Sequence, residues 1–410
     1  MNNGNLFWVE RTLATRSTAH TPSISRLFRG SSWGITTRQK LTASRQTIAS
    51  KRMSLTTKNV RSKTQHSVKS VYVDTPRLRQ HALVCGEGKS EVVLFVHGNL
   101  SSCEYYRELM LSLADTHHCI AVDLRGYGDT EPVPLDATRG VSDWSEDLAE
   151  LLQAMKIDRV HVMGWSAGAA AVMQLAIDQP ELATTITLVA PISPFGFGGT
   201  KDNLGTLTKD DCAGSGGGLI SPELIRLIEA GDLTTEFPES PLNLLRTLYV
   251  KEPFRFSREK ELLEATLKQK LGVQFYPGDH VESPNWPFVT PGKWGAINAV
   301  SPKYFDLSSF ADLAIKPPVL WVRGASDLIV SDHSLCDVAV LGQLGVVPDW
   351  SENLDFPPQP MVSQTRHVLE LYKSLGGAYH EVVFQDVGHS PFLEAEERFL
   401  GEFLAFLNTV

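Results

Sequence analysis

Directly behind the apolar run RVHVM at residues 159–163, the chain reads Gly164-Trp165-Ser166-Ala167-Gly168, and directly behind that an Ala-rich stretch continues to 177. A short run of large apolar residues predicts a strand, and Ala-rich sequence predicts a helix. With no loop between them, the chain must turn from strand to helix within five residues. Small residues around Ser166 keep neighbouring side chains out of that turn. The pattern is G-x-S-x-G, in which the serine stands on a strained strand-to-helix turn with its hydroxyl projecting from the sheet edge. The helix start behind Ser166 aims free backbone N–H groups and a positive dipole end at developing negative charge. The pentapeptide by itself also arises by chance in Gly-rich turns, and its flanking strand and helix give it weight.

The rest of the chain supplies the framework such a turn needs. Segments 71–74 and 78–85 read as two short strands before the turn Gly86-Glu87-Gly88. The runs EVVLFV (91–96), CIAVD (119–123) and 186–190 are continuous and apolar, as in strands buried on both faces of a parallel sheet. Helices are predicted between them at 102–114 and 142–155. The second has Trp144, Leu148, Leu151 and Leu152 at helical spacing, with Ser142 as its N-cap. Alternating strands and helices imply βαβ units. The alternation breaks at 192–316, which holds Gly-rich stretches, Pro clusters and two helical segments near 222–229 and 258–270. We read that region as an inserted lid domain. The core resumes with PVLWV (318–322), makes an excursion over 331–379, and ends with the strand HEVVF (380–384) and a helix at 391–407. The domain division is therefore a basic segment 1–70, a core part 71–191, the lid 192–316 and a second core part 317–410. No internal repeat is present.

Charge separates the first segment from the rest. Residues 1–70 contain thirteen Lys and Arg and a single acid, Glu10, so the net charge of −9 for the 410 residues conceals a strongly acidic body. An acidic body is a poor partner for phosphate backbones, which argues against nucleic acid. No run of eighteen apolar residues occurs, so no membrane span is expected. The Ser/Thr/Arg-rich segment lacks the apolar stretch of a secretory signal and suits a mitochondrial transit peptide. The alternatives are a disordered basic tail with no address on a cytoplasmic protein, or translation from Met53. The five cysteines are odd in number and widely spaced, with no CxxC pair, which fits a reducing compartment.

Four further motifs fall at strand ends. His97-Gly98-Asn99 follows EVVLFV. There Gly98 lets the backbone pass close to a substrate, and the N–H of Asn99 could join that of Ala167 in binding an oxyanion, with the Asn99 side chain as a further donor. His97 itself reads as a brace for this loop. Asp123-Leu124-Arg125-Gly126-Tyr127-Gly128-Asp129-Thr130 follows CIAVD and reads as a turn packed under the site. Asp327, in the turn after PVLWV, can hold a histidine tautomer, with Asp332 as its competitor. Gly388-His389-Ser390 follows HEVVF, where His389 can take the Ser166 proton and return it to a leaving group.

Together these residues resemble the α/β-hydrolase family over roughly 71–191 and 317–410. The resemblance implies an eight-stranded, mostly parallel sheet flanked by helices, with the order nucleophile, acid, base along the chain. That order excludes Asp123 as the acid, because it precedes Ser166. The expected function is a serine hydrolase that cleaves a carboxylic ester, thioester or lactone of a small apolar substrate. Ser166, Asp327 and His389 form the triad, Asn99 and Ala167 the oxyanion hole, and no cofactor or metal is needed. A serine in the turn argues against the aspartate-nucleophile branch of the family. The same residues can also serve carbon–carbon bond hydrolysis, aminopeptidase or cofactor-free haloperoxidase and perhydrolase chemistry. A hydrolase-fold protein that only binds ligand is the reading from another class. The small-molecule acyl substrate is the only partner the residues point to, and they set no oligomeric state. The stretches 195–201 and 214–218 lack phosphate-loop spacing and are expected to be flexible lid segments. Phe195, Phe197, Trp286 and Trp294 would line an acyl pocket or simply pack the lid. Adjacent His117 and His118 cannot converge on one ion, and Cys103 reads as a small helix residue.

Overall fold

The computed structural model describes residues 66–409, so the basic segment up to residue 65, with Met53, lies outside the described residues. Eight strands form one sheet: β1 Lys69–Asp74, β2 Arg79–Cys85, β3 Val92–Val96, β4 His118–Val122, β5 Val160–Trp165, β6 Ala183–Val189, β7 Val319–Gly324 and β8 Tyr379–Phe384. Their spatial order is β1-β2-β4-β3-β5-β6-β7-β8. The β1–β2 and β2–β4 pairs are antiparallel and every other pair is parallel. The sequence reading of a mostly parallel eight-stranded α/β sheet is thereby met. The central strands are apolar on both sides because helices cover both faces. Strand β1 is an edge with alternating exposure, so its polar Lys69 and Ser70 extend the strand two residues before the expected start.

The crossover helices are α1 Arg107–Leu113, α2 Ser142–Ala154 and α3 Ala167–Asp178. One expectation fails here. Ser142 is the first helical residue, Val141 takes the cap position, and no side chain caps it. Charge stabilises this end instead. Asp143 and Asp147 accept from Arg77, and the fully buried Asp147 is also held bidentately by Arg125 at 2.8 Å on both oxygens. Removing one member of such a buried pair typically costs about 3–5 kcal/mol, more than a missing cap.

Between β6 and β7 the chain makes a long insertion with helices α4 Pro222–Glu229, α5 Pro241–Thr247 and α6 Glu259–Thr266, and two small two-stranded ladders. Arg258 anchors it to the core through Glu104 and Glu108. Its glycine-rich stretches differ from expectation. They are buried and pinned, with Gly198 N donating to Gln359 Oε1 and Gln359 Nε2 donating to the Gly196 carbonyl. Gly196, Gly198 and Gly199 have positive φ, which explains the glycines as packed turns rather than mobile hinges. The 331–379 excursion contains α7 Val338–Gln343 and α8 Met361–Ser374. The expected closing helix is split at Ala395 into a short turn, Pro391–Glu394, and α9 Glu396–Leu407.

Candidate active site

Ser166 has φ 56° and ψ −120° at the junction of β5 and α3. That is the left-handed side of the map, where a side-chain-bearing residue is strained. The neighbouring glycines show what enforces it. A Cβ on Gly164 would lie 2.5 Å from Ala169 Cα, and one on Gly168 would lie 2.3 Å from the carbonyl oxygens of Val96 and His97. Both positions are closed to any side chain by backbone alone. Trp165, fully buried, donates from Nε1 to the His389 carbonyl at 2.9 Å. The residue before the serine thus ties the β5 turn to the β8 loop.

The loop after β3 lies against this turn, since a Cβ at Gly98 would be 2.9 Å from Ser166 Cβ. The N–H groups of Asn99 and Ala167 donate no hydrogen bond among the described residues. They are free in the way an oxyanion site requires. The Asn99 side chain has another partner, because its Oδ1 accepts from Tyr127 Oη at 2.9 Å. His97 braces the loop. Its Nε2 accepts from Leu124 N at 3.1 Å, so the proton sits on Nδ1 and is donated to the Gly98 carbonyl at 2.7 Å. Complete burial holds the His97 imidazole below its usual pKa, against the opposing charge of Asp123.

Asp327 and His389 meet. His389 Nδ1 and Asp327 Oδ2 are 2.8 Å apart, and both residues are buried. The other oxygen of Asp327 accepts from Ile329 N and Val330 N at 2.8 and 2.9 Å, so the carboxylate has one orientation. A carboxylate at Nδ1 keeps the proton there and leaves the Nε2 lone pair able to accept one. Ser166 Oγ makes no hydrogen bond to His389 among the described residues; such contacts tighten on substrate binding. Asp332 does something else. It accepts from Val362 N, Ser363 N and Ser363 Oγ, and so caps α8.

Below the site, Asp123 accepts from His81 Nδ1, Cys103 N and Asp129 N at 2.7–2.9 Å. Burial alone would raise its carboxyl, but these donors, His81 first, hold it below the usual range. The ligand atoms of His81, Cys103 and Asp123 lie within 4.8 Å of one another, the one grouping among the described residues with metal-ligand spacing. The hydrogen bonds already satisfy Asp123, so the cluster locks the turn beneath the site. His117 Nδ1 pairs with Thr116 Oγ1 at 2.8 Å. Trp286 packs edge-on to Phe356 in a satellite cluster with Val338 and Ala339, and Phe195 packs under Gly205.

The alpha/beta hydrolase family profile matches residues 93–402. The chain belongs to the alpha/beta hydrolase family. Among characterised proteins, this alpha/beta hydrolase is 26% identical over 222 residues to the dihydrolipoyllysine-residue acetyltransferase component of the acetoin cleaving system of Cupriavidus necator, covering 52% of this chain and 54% of that protein. It is 27% identical over 131 residues to epoxide hydrolase 2 of Caenorhabditis elegans, covering 31% and 36%. The chain thus spans about half or less of the curated relatives it matches. Among solved structures, a serine hydrolase of Cycloclasticus zankles superposes with a TM-score of 0.53 at 15% identity, covering 83% of this chain and 98% of that one. A carboxylesterase of Bacillus subtilis gives 0.52 at 14%, covering 83% and 92%. At that identity the likeness is one of fold. Among the described residues no helix is long and apolar enough to cross a membrane.

Sequence reasoning missed three side chains at the site: Trp165, Tyr249 and Glu394. Trp165 was the unspecified position of the motif. Tyr249 follows α5 in the insertion, and no local pattern announces it. Glu394, five residues after His389, is one acid in an acid-rich helix start, with nothing local to distinguish it from Glu396 or Glu397.

Proposed function

We propose that this alpha/beta hydrolase cleaves a carboxylic ester, thioester or lactone of a small apolar molecule through an acyl-enzyme on Ser166. The observation that carries the reading is the buried His389–Asp327 pair, tethered through Trp165 to a serine held at positive φ. With Nδ1 donating to Asp327, His389 Nε2 takes the Ser166 proton as Oγ attacks the substrate carbonyl. The tetrahedral oxyanion is met by the N–H groups of Asn99 and Ala167. His389 then protonates the departing alcohol or thiol, and the carbonyl re-forms as an acyl-serine. Water, deprotonated by the same Nε2, attacks that ester, and Ser166 recovers its proton as the acid product leaves.

The test is fluorophosphonate labelling and ester turnover of wild type and Ser166→Ala. Wild type is expected to label. The variant should lose labelling and at least about 10⁴-fold in kcat with an unchanged melting temperature. Labelling that survives in Ser166→Ala, or folded wild type that does not label, overturns the reading.

A further inference from the structure

Leaving α5, the insertion passes over the sheet edge, and three consecutive residues reach the groups just described. The Tyr249 phenol donates to the Asn99 carbonyl at 2.8 Å. Its ring stands edge-on to Trp165 at 5.6 Å and to His389 at 5.9 Å between centroids. Val250 is buried. Lys251 N then donates to Glu394 Oε2 at 2.8 Å. The same carboxylate accepts from Gly388 N at 2.9 and 3.0 Å and from Ser390 N at 3.3 Å. Glu394 therefore gathers the amides on both sides of His389 and fastens them to the insertion. Gly388 records the contact independently. A Cβ there would be 2.8 Å from Lys251 N and 2.9 Å from the Val250 carbonyl carbon, although its φ is not positive. The glycine makes room for the strap rather than for a turn.

We propose that residues 249–251, fastened by Glu394, form a strap that sets the Asn99 donor and the His389 base relative to each other, with Tyr249 and Glu394 as positioning residues. The inference rests on the acyl-transfer reading above. Tyr127 fixes the Asn99 side chain and Tyr249 fixes its carbonyl, so the residue has one orientation with its own N–H unspent. Catalytic groups must be held to about 0.5 Å, and a displacement near 1 Å can cost about a hundredfold in rate. The strap touches the donor loop through the Tyr249 phenol and the base loop through the Tyr249 ring and Lys251 N. Shifting the insertion releases both together.

The experiment measures kcat, KM and the pH profile of p-nitrophenyl acetate hydrolysis by the full chain, with fluorophosphonate labelling and melting temperature alongside. The variants are Tyr249→Phe, Glu394→Gln, their double and Gly388→Ala. Tyr249→Phe loses only the hydroxyl and is expected to lower kcat about tenfold at nearly constant KM, with the fold intact. Glu394→Gln should lower kcat comparably and shift the pH profile of kcat. The double variant should lose less than the product of the single effects, because both act through one strap. Gly388→Ala, whose Cβ would press on Lys251 N and the Val250 carbonyl carbon and crowd Glu394 Oε1 at 3.2 Å while keeping both side chains in place, should share the kcat defect and covers the case of a Glu394 variant that does not fold. Wild-type kcat and pH profile in Tyr249→Phe, or fully multiplicative losses in the double, overturn the strap. Folded wild type that fails to label overturns instead the parent reading.

Discussion

The sheet edge and the insertion build the site by different physics. At the edge, geometry comes from exclusion. Gly164, Gly168 and Gly98 are closed to side chains by nearby atoms of the same turn and of β3, and Ser166 is held in a strained conformation at the junction of β5 and α3. The insertion contributes through pairing. Tyr249 reaches a carbonyl 150 residues earlier, and Lys251 N meets a carboxylate 143 residues later. Exclusion leaves a mark in the sequence because only one residue type satisfies it. Pairing leaves none, because a tyrosine or glutamate is acceptable at countless surface positions and matters only for its partner.

The comparison can be broken or sharpened experimentally. The largest effect should come from the edge. Asp327→Asn is expected to lower kcat by about 10⁴-fold with modest loss of stability, since it removes the group that fixes the His389 tautomer. A smaller loss in a steady-state assay would hand the acid's role to another residue. Next is Trp286→Ala, in the insertion's satellite cluster. It should cost about 3 kcal/mol in chemical denaturation, yet leave kcat within about twofold. A large kcat loss there would mean that general packing of the insertion, and not the strap, controls the site. Asp332→Ala should cost about 1 kcal/mol as a lost helix cap, with turnover unchanged, which separates it cleanly from Asp327.

The smallest effect concerns pH. His97 is buried neutral, with a folded-state pKa held below its ordinary 6.5. Between the folded and unfolded values the unfolded chain binds the extra proton, so this contribution is complete above about 6.5 and is lost as pH falls toward the folded value. Protonating Nε2 would also break the bond from Leu124 N. Urea midpoints between pH 8 and 5.5 should fall more steeply for wild type than for His97→Asn. Parallel curves would show that His97 does not couple folding to protons.

Sheet, strand ends and the Ser166 turn were legible because each rests on short-range pattern. Apolar runs of five or six residues, glycines at fixed offsets and one histidine before a final helix suffice. Asp327 against Asp332 was open in the sequence, since both stand in one turn five residues apart. The tertiary structure separates them by direction, with one meeting His389 Nδ1 and the other the N-terminus of α8. Helix α8 was missed although Thr365, Val368, Leu369 and Tyr372 repeat at helical spacing, because the Pro-rich stretch before it reads as loop. The Ser142 cap failed because a buried ionic network outweighed a local hydroxyl.

What the chain's own order of residues determined is the alternation of strand and helix and the strained serine turn, because those depend on backbone sterics and burial within a few residues. What only the folded molecule decided is which carboxylate faces the histidine, which N–H groups stay free, and that an inserted segment straps the donor loop to the base loop. Those depend on partners brought together from across the chain, where a single hydrogen-bond length separates contact from none.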